Sequence, residues 1–218
     1  MEAKIIKERD YRKILELDKK VYPTDSPVTQ EIIGQWYQNN PEFGIMFEEK
    51  NEIKAMCVAI PLNKSGWNDL TKGKLPESGL NSKTIFNNSR DKEIGIHVYH
   101  LEKLDSKIKE LYKISLKEIK KIIDKLRKNN PSLKIIGFSG LAVTSAGINL
   151  LYNKLNCRER NFLNDEHIMR KSNKLEIIKT NSKEDIIEKV KEGYYYLNRC
   201  KMLVLYQNEP SIVWNYLY

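Results

Sequence analysis

The chain has 218 residues, with 38 Lys and Arg against 29 Asp and Glu and a formal net charge of +9. Hydrophobic residues make up 40% and are spread along the whole length, which supports one packed core and excludes a disordered chain. With no apolar run of ~18 residues, a charged N-terminal stretch, and Cys57, Cys157 and Cys200 too far apart for a Cys-x-x-Cys pair, we expect a reduced, cytoplasmic protein without a membrane span, secretion signal or metal.

In chain order, KIIKE suggests a first strand, and Ile14, Leu15 and Leu17 a first helix. Val21 to Pro27 then reads as a loop. Thr29 is the expected N-cap of a second helix whose apolar face carries Ile32, Ile33, Trp36 and Tyr37, with Asn39-Asn40-Pro41 stopping it. FGIMFEE and IKAMCVAIPL, joined by Lys50-Asn51-Glu52, predict a hairpin ending at Pro61. Residues 63 to 91 contain Gly66, Gly73, Pro76 and Gly79 with little alternation, which predicts a long excursion outside the core, bordering a binding site.

EIGIHVYHL predicts a central strand with Ile94, Ile96 and Val98 on one face and Glu93, Gly95, His97 and Tyr99 on the other. A helix marked by Ile114, Ile119, Ile122, Ile123 and Leu126 and the strand LKIIGFSGLAV complete a right-handed β-α-β unit with parallel strands. Thr144 or Ser145 is positioned to cap a helix through Leu150, Leu151 and Leu155. CRERNFL and EHIMRK predict two strands joined by a turn at Asn164-Asp165. From Ser172 the chain continues with KLEIIKT as a strand, SKEDIIEKVKEGYYYLNR as a helix capped by Ser182, then KMLVLYQ and SIVWNYLY.

This order resembles the GNAT superfamily of N-acetyltransferases, which transfer an acyl group from acyl-coenzyme A to an amine. The support lies in GLAVTSAGINLLYNKLNC, where Leu151, Tyr152, Lys154 and Leu155 match the family's Leu-Tyr-x-Lys-Leu-Gly-Phe-like phrase and Asn156-Cys157 replaces Gly-Phe. WYQNNPEFGIMFEEKNEIKAMCVAIPL is a softer echo of the helix-hairpin segment. The resemblance implies an α/β fold of the acyl-CoA N-acyltransferase type, a mixed central sheet flanked by helices, over residues 1–171, with a folded α/β C-terminal extension over 172–218 packed on or extending it. One interval departs from the family: EKLDSKIKELYKISLKEI lacks the glycine loop that cradles the coenzyme pyrophosphate, leaving Lys107, Lys109 and Lys113 to supply charge and Ser115 to cap the helix.

By resemblance, Tyr152 protonates the departing thiolate as general acid. Glu93 or His97 assists deprotonation of the amine, unless His97 is simply a satisfied sheet residue; His100 alternates to the opposite face, and His167 belongs to a late strand. The backbone of Val98, Tyr99, His100 and Leu101 pairs with the pantetheine arm and polarises the thioester, and Ser145 sits near a coenzyme contact or serves only as a cap. Tyr22, Asp25 and Trp36, with the excursion containing Trp67, are the expected acceptor walls, although Trp36 also completes an amphipathic helix.

The expected function is therefore acetyl transfer from acetyl-CoA, as co-substrate, to a small-molecule or protein amine by direct attack in a ternary complex. The alternative is a catalytically inactive GNAT-like binding or regulatory module that does not use CoA. A third reading is a basic adaptor using the aromatic C-terminal segment, from Tyr194-Tyr195-Tyr196 to Tyr218, either as a homodimer surface or on nucleic acid. The Lys excess is interleaved with Glu on helices and no recognition motif is present, which argues against nucleic acid.

Overall fold

The computed structural model describes residues 1–21, 27–160, 166–172 and 174–218. Strand β1 (Glu2–Ile5) leads into α1 (Tyr11–Val21) and α2 (Gln30–Tyr37). Thr29 caps α2 as its position implied, its Oγ1 accepting from the Ile32 amide at 3.3 Å. Strands β2 (Gly44–Glu49) and β3 (Glu52–Asn63) form the expected hairpin, turned by Lys50 and Asn51 at φ 51° and 63°.

The segment 63–91 departs from expectation. It opens with α3 (Lys64–Thr71), capped by Asn63 Oδ1 on the Gly66 amide at 2.9 Å, and buries Trp67, Leu70, Leu80, Ile85 and Phe86. Its apolar residues are too few to show a period, yet large enough to fill one face of the sheet.

Strand β4 (Glu93–Lys103), α4 (Leu111–Asn129) and β5 (Lys134–Ala142) form the β-α-β unit, with β4 and β5 parallel. A short α5 (Ser145–Ile148) continues as a π-helical turn, Asn149–Lys154. Strands β6 (Arg158–Arg160), β7 (Glu166–Lys171), β8 (Lys174–Lys179), helix α6 (Lys183–Lys191), strands β9 (Tyr195–Arg199) and β10 (Lys201–Tyr206) and helix α7 (Ile212–Leu217) complete the described chain.

The main sheet has the order β1-β2-β3-β4-β5-β10-β6, and β8-β7-β9 form a second, smaller sheet. Within the main sheet every pair other than β4·β5 is antiparallel among the described residues. Two expectations about the last third are corrected. Strands β6 and β7 lie in different sheets rather than forming one hairpin, because β10 returns from far along the chain to pair with β6; the turn at Asn164-Asp165 falls outside the described residues. The helix after Ser182 ends at Lys191, and Gly193 at φ 92° turns the chain into β9, so Tyr195 and Tyr196 are strand residues. Residues 172–218 contribute to both sheets: β10 sits between β5 and β6, and Leu203, Val204, Leu205, Val213 and Leu217 belong to the main core. The boundary at residue 171 falls within the β7–β8 hairpin. Among the described residues, no helix is long and apolar enough to cross a membrane.

Candidate active site

Strands β4 and β5 run together from Glu93 beside Lys134 to Val98 beside Gly140, and then their ladder stops. On its other side β4 stays paired with β3, but the register slips: Ala59 faces Val98 and Val58 faces His100, so Tyr99 is an extra residue in a bulge. The bulge bends β4 away from β5 and breaks the alternation expected across Tyr99. The rings of Tyr99 and His100, sequence neighbours, meet edge to face at 4.7 Å, and Tyr99 packs on Trp36 at 5.0 Å. His100 therefore faces the wedge rather than the opposite side of the sheet.

The wedge holds a cavity of about 620 Å³, walled by the β4 residues Val98 to Lys103, the β5 end from Leu141 to Thr144, the start of α4 and the π-turn. Its centre is apolar, with Leu101, Phe138, Leu141, Leu150 and Leu151. Among the described residues no β4–β5 ladder pair forms beyond Val98 and Gly140, so a ligand lying between the strands would meet their facing edges. Cys57 also lines the cavity, but burial pushes its thiol up to about 12, which keeps it protonated and poorly nucleophilic near neutral pH.

Two polar clusters face this space. Asp18 from α1 and His100 are both buried, with Nε2 3.4 Å from Asp18 Oδ1: close enough for charge attraction, not aligned as a hydrogen bond. The second begins at α3. Gly95 stands beside Gly137 and His97 beside Ser139 across the β4–β5 ladder. A Cβ on either glycine would come within 2.2 Å of the Trp67 indole, so the absent side chains make the seat for that ring. From this seat Trp67 Nε1 donates to Ser139 Oγ at 3.1 Å, Ser139 Oγ lies 2.9 Å from His97 Nδ1, and His97 Nε2 lies 2.7 Å from Glu77 Oε1. Ser139 and His97 are fully buried, whereas Glu77, 10% exposed, lines the cavity. Glu77 was invisible in the sequence because it sits in a non-periodic segment 20 residues before its partner.

The expected site residues separate accordingly. Val98, Tyr99, His100 and Leu101 line the cavity; His97 touches it only through Glu77. Glu93 is at the opposite end of β4, its carboxylate bound by Lys64 at 2.9 Å, and does not reach the wedge. Tyr152 is 53% exposed and off the cavity wall: the wider π winding turns Leu150, Leu151, Lys154 and Leu155 inward and leaves Tyr152 outside. Thr144 rather than Ser145 caps α5, accepting from the Gly147 amide at 3.0 Å, and Thr144 is the one that lines the cavity. Trp36 is fully buried behind Tyr99, while Tyr22 and Asp25 lie outside the described residues.

The wedge, with apolar walls between two diverging strands, has room for a slender chain such as an acyl-pantetheine arm. The start of α4 differs from the family's glycine loop: α4 begins after Glu110, a non-glycine residue at φ 52°, and Ser115 is buried within the helix instead of capping it. Glu110 makes no side-chain cap; its carboxylate pairs with Lys113, whose hydrogen bond holds it below the usual carboxylate range. Lys103 and Lys154 line the cavity near this end, whereas Lys107 and Lys109 are exposed and off its wall.

Strand order, the parallel β4–β5 crossover and the helices on the sheet give the chain an α/β fold with a mixed central sheet flanked by helices, the architecture that the resemblance implied. No protein-family model matches the chain, and no curated protein matches it. Among solved structures it is similar to mosquito arylalkylamine N-acetyltransferase like 5b, at 10% identity and TM-score 0.46, over 94% of this chain and 99% of that one. It is similar to Arabidopsis thaliana NAA60 in complex with acetyl-CoA at 10% identity and TM-score 0.43, over 95% and 98% of the two chains. The loading GNATL domain of CurA from Lyngbya majuscula aligns at 10% identity and TM-score 0.42 over 74% of this chain, which spans 66% of that domain's length.

Proposed function

We propose that the chain is an acyltransferase that moves an acetyl or related acyl group from acetyl-CoA to an amine by direct attack. The observation that carries this reading is the wedge, where two parallel strands part at a bulge beside a cavity with many apolar wall residues. In this reading the β4 backbone from Val98 to Leu101 pairs with the pantetheine arm, and one of its amides polarises the thioester carbonyl. Lys103, Lys154 and the first amides of α4 meet the phosphates. The acyl thioester supplies the activated carbonyl. Cys57, protonated and buried, does not compete as an acyl acceptor, which favours attack by the amine itself.

A second reading, a GNAT-like binding module that does not use CoA, is favoured by one feature: the Glu110 carboxylate at the start of α4, where the family receives an anion. Calorimetric titration with acetyl-CoA separates the two. Saturable micromolar binding, with thiol release on adding amines, is the expected result; no binding up to millimolar acetyl-CoA would replace the transferase with the binding module.

A further inference from the structure

We infer that Glu77 is the carboxylate that binds the acceptor as a primary ammonium ion and takes its proton, with His97, Ser139 and Trp67 as its positioning residues. The inference rests on the acyltransferase reading of the same cavity and names the acceptor class and the base within it.

The network assigns its own hydrogens. Ser139 Oγ receives the indole N–H, so its single proton goes to His97 Nδ1. That makes His97 the tautomer with hydrogen on Nε2, which donates to Glu77. Every polar atom from the indole to the imidazole is then satisfied, and the chain ends on the carboxylate of Glu77, a residue of the cavity wall. A buried serine, histidine and tryptophan with nothing to catalyse among themselves serve to hold that carboxylate in one rotamer.

Charge points to the ligand. Glu77 and Asp18 are two largely buried carboxylates on one cavity, which favours a cation there, and an alkyl amine is protonated at neutral pH. Among the described residues, His97 from β4 touches Glu77, and Cys200, which precedes β10 and whose thiol is pushed up to about 12 by burial, feels its charge; Asp18, His100, Glu102, Lys103, Glu110 and Lys154 are the other ionisable groups on the cavity wall besides Cys57 and the tyrosines. In the step, one ammonium proton passes to Glu77 Oε, the freed nitrogen lone pair forms the N–C bond, and the C–S bond breaks. The thiolate takes a second proton from the nitrogen as the amide forms, and Glu77 returns its proton to water.

The test uses the whole chain with phenethylamine and n-butylamine. Glu77→Gln is expected to lower kcat/KM about 100-fold with unchanged KM for acetyl-CoA, and to remove the acidic limb of the pH–rate profile, with Glu77→Asp restoring part of the rate. A Glu77→Gln enzyme within twofold of wild type and with the same profile overturns the inference while leaving the transferase standing. Amine binding measured by calorimetry without any acyl donor tests the inference apart from that reading: affinity is expected to fall about tenfold in Glu77→Gln. Equal affinity in both proteins, or no saturable amine binding to wild type, overturns it even if no acyl transfer is ever seen. His97→Gln, which keeps a donor, is expected to retain more activity than His97→Ala; equal losses would reduce His97 to packing.

Discussion

The two halves of the β4–β5 pair use the same strands to opposite ends. From Glu93 to Val98 the strands are laddered, and the glycine pair Gly95 and Gly137 lets Trp67 fill the space above them, with Tyr206 edge-on at 5.3 Å. From Tyr99 onward the bulge parts them, and the same width of sheet encloses a cavity. A close-packed half braces a half that is open, because beyond Val98 and Gly140 the splayed strands are held only by β3 and β10 on their outer sides and no longer by each other. The hydrogen-bond chain from Trp67 to Glu77 joins the two, carrying the rigidity of the packed half to the rim of the open one.

The largest effect should come from breaking the packed half. Trp67→Ala removes a fully buried indole and its hydrogen bond, at a cost of about 3–5 kcal/mol in urea unfolding, and should also lower acyl transfer by freeing Glu77. Gly137→Ala forces a Cβ to within 2.2 Å of the same ring and should cost about 1–3 kcal/mol. If either variant keeps wild-type stability, the two halves are not braced in this way.

A smaller effect should appear with pH at the open half. Burial raises the Cys57 thiol from 9.0 to about 12, so the unfolded chain loses that proton at lower pH than the folded one. The associated stability is complete below pH 9 and is lost as pH rises toward 12, so Cys57→Ala should show a shallower alkaline decline in unfolding free energy than wild type. An identical decline would mean that Cys57 is not shielded from water. The smallest effect is expected at the outward side of the π-turn: Tyr152→Phe should leave turnover within about twofold, since its hydroxyl is off the cavity. A tenfold loss would mean that the turn rewinds and brings Tyr152 to the thioester.

Local signals were strong where the elements are periodic or capped. The hairpin, β4, α4, β5 and the caps at Thr29 and Ser182 were legible because a residue's own neighbours settle them. Val98 to Leu101 line the cavity. Glu93 and Tyr152 did not reach the cavity, since strand length separates the first from it and helix winding turns away the second.

By itself, then, the sequence determined the order of the elements from β1 to β5 outside the segment 63–91, the parallel crossover and the identity of the central strand, all consequences of apolar period and chain direction. Only the tertiary structure decided that β10 enters the sheet between β5 and β6, that a bulge at Tyr99 turns His100 inward, and that Glu77 meets His97. The physical reason is range. Period and capping act over one turn or one strand, whereas a one-residue slip against β3, a distant strand arriving on β5 and a hydrogen bond across 20 residues depend on partners that no local pattern names.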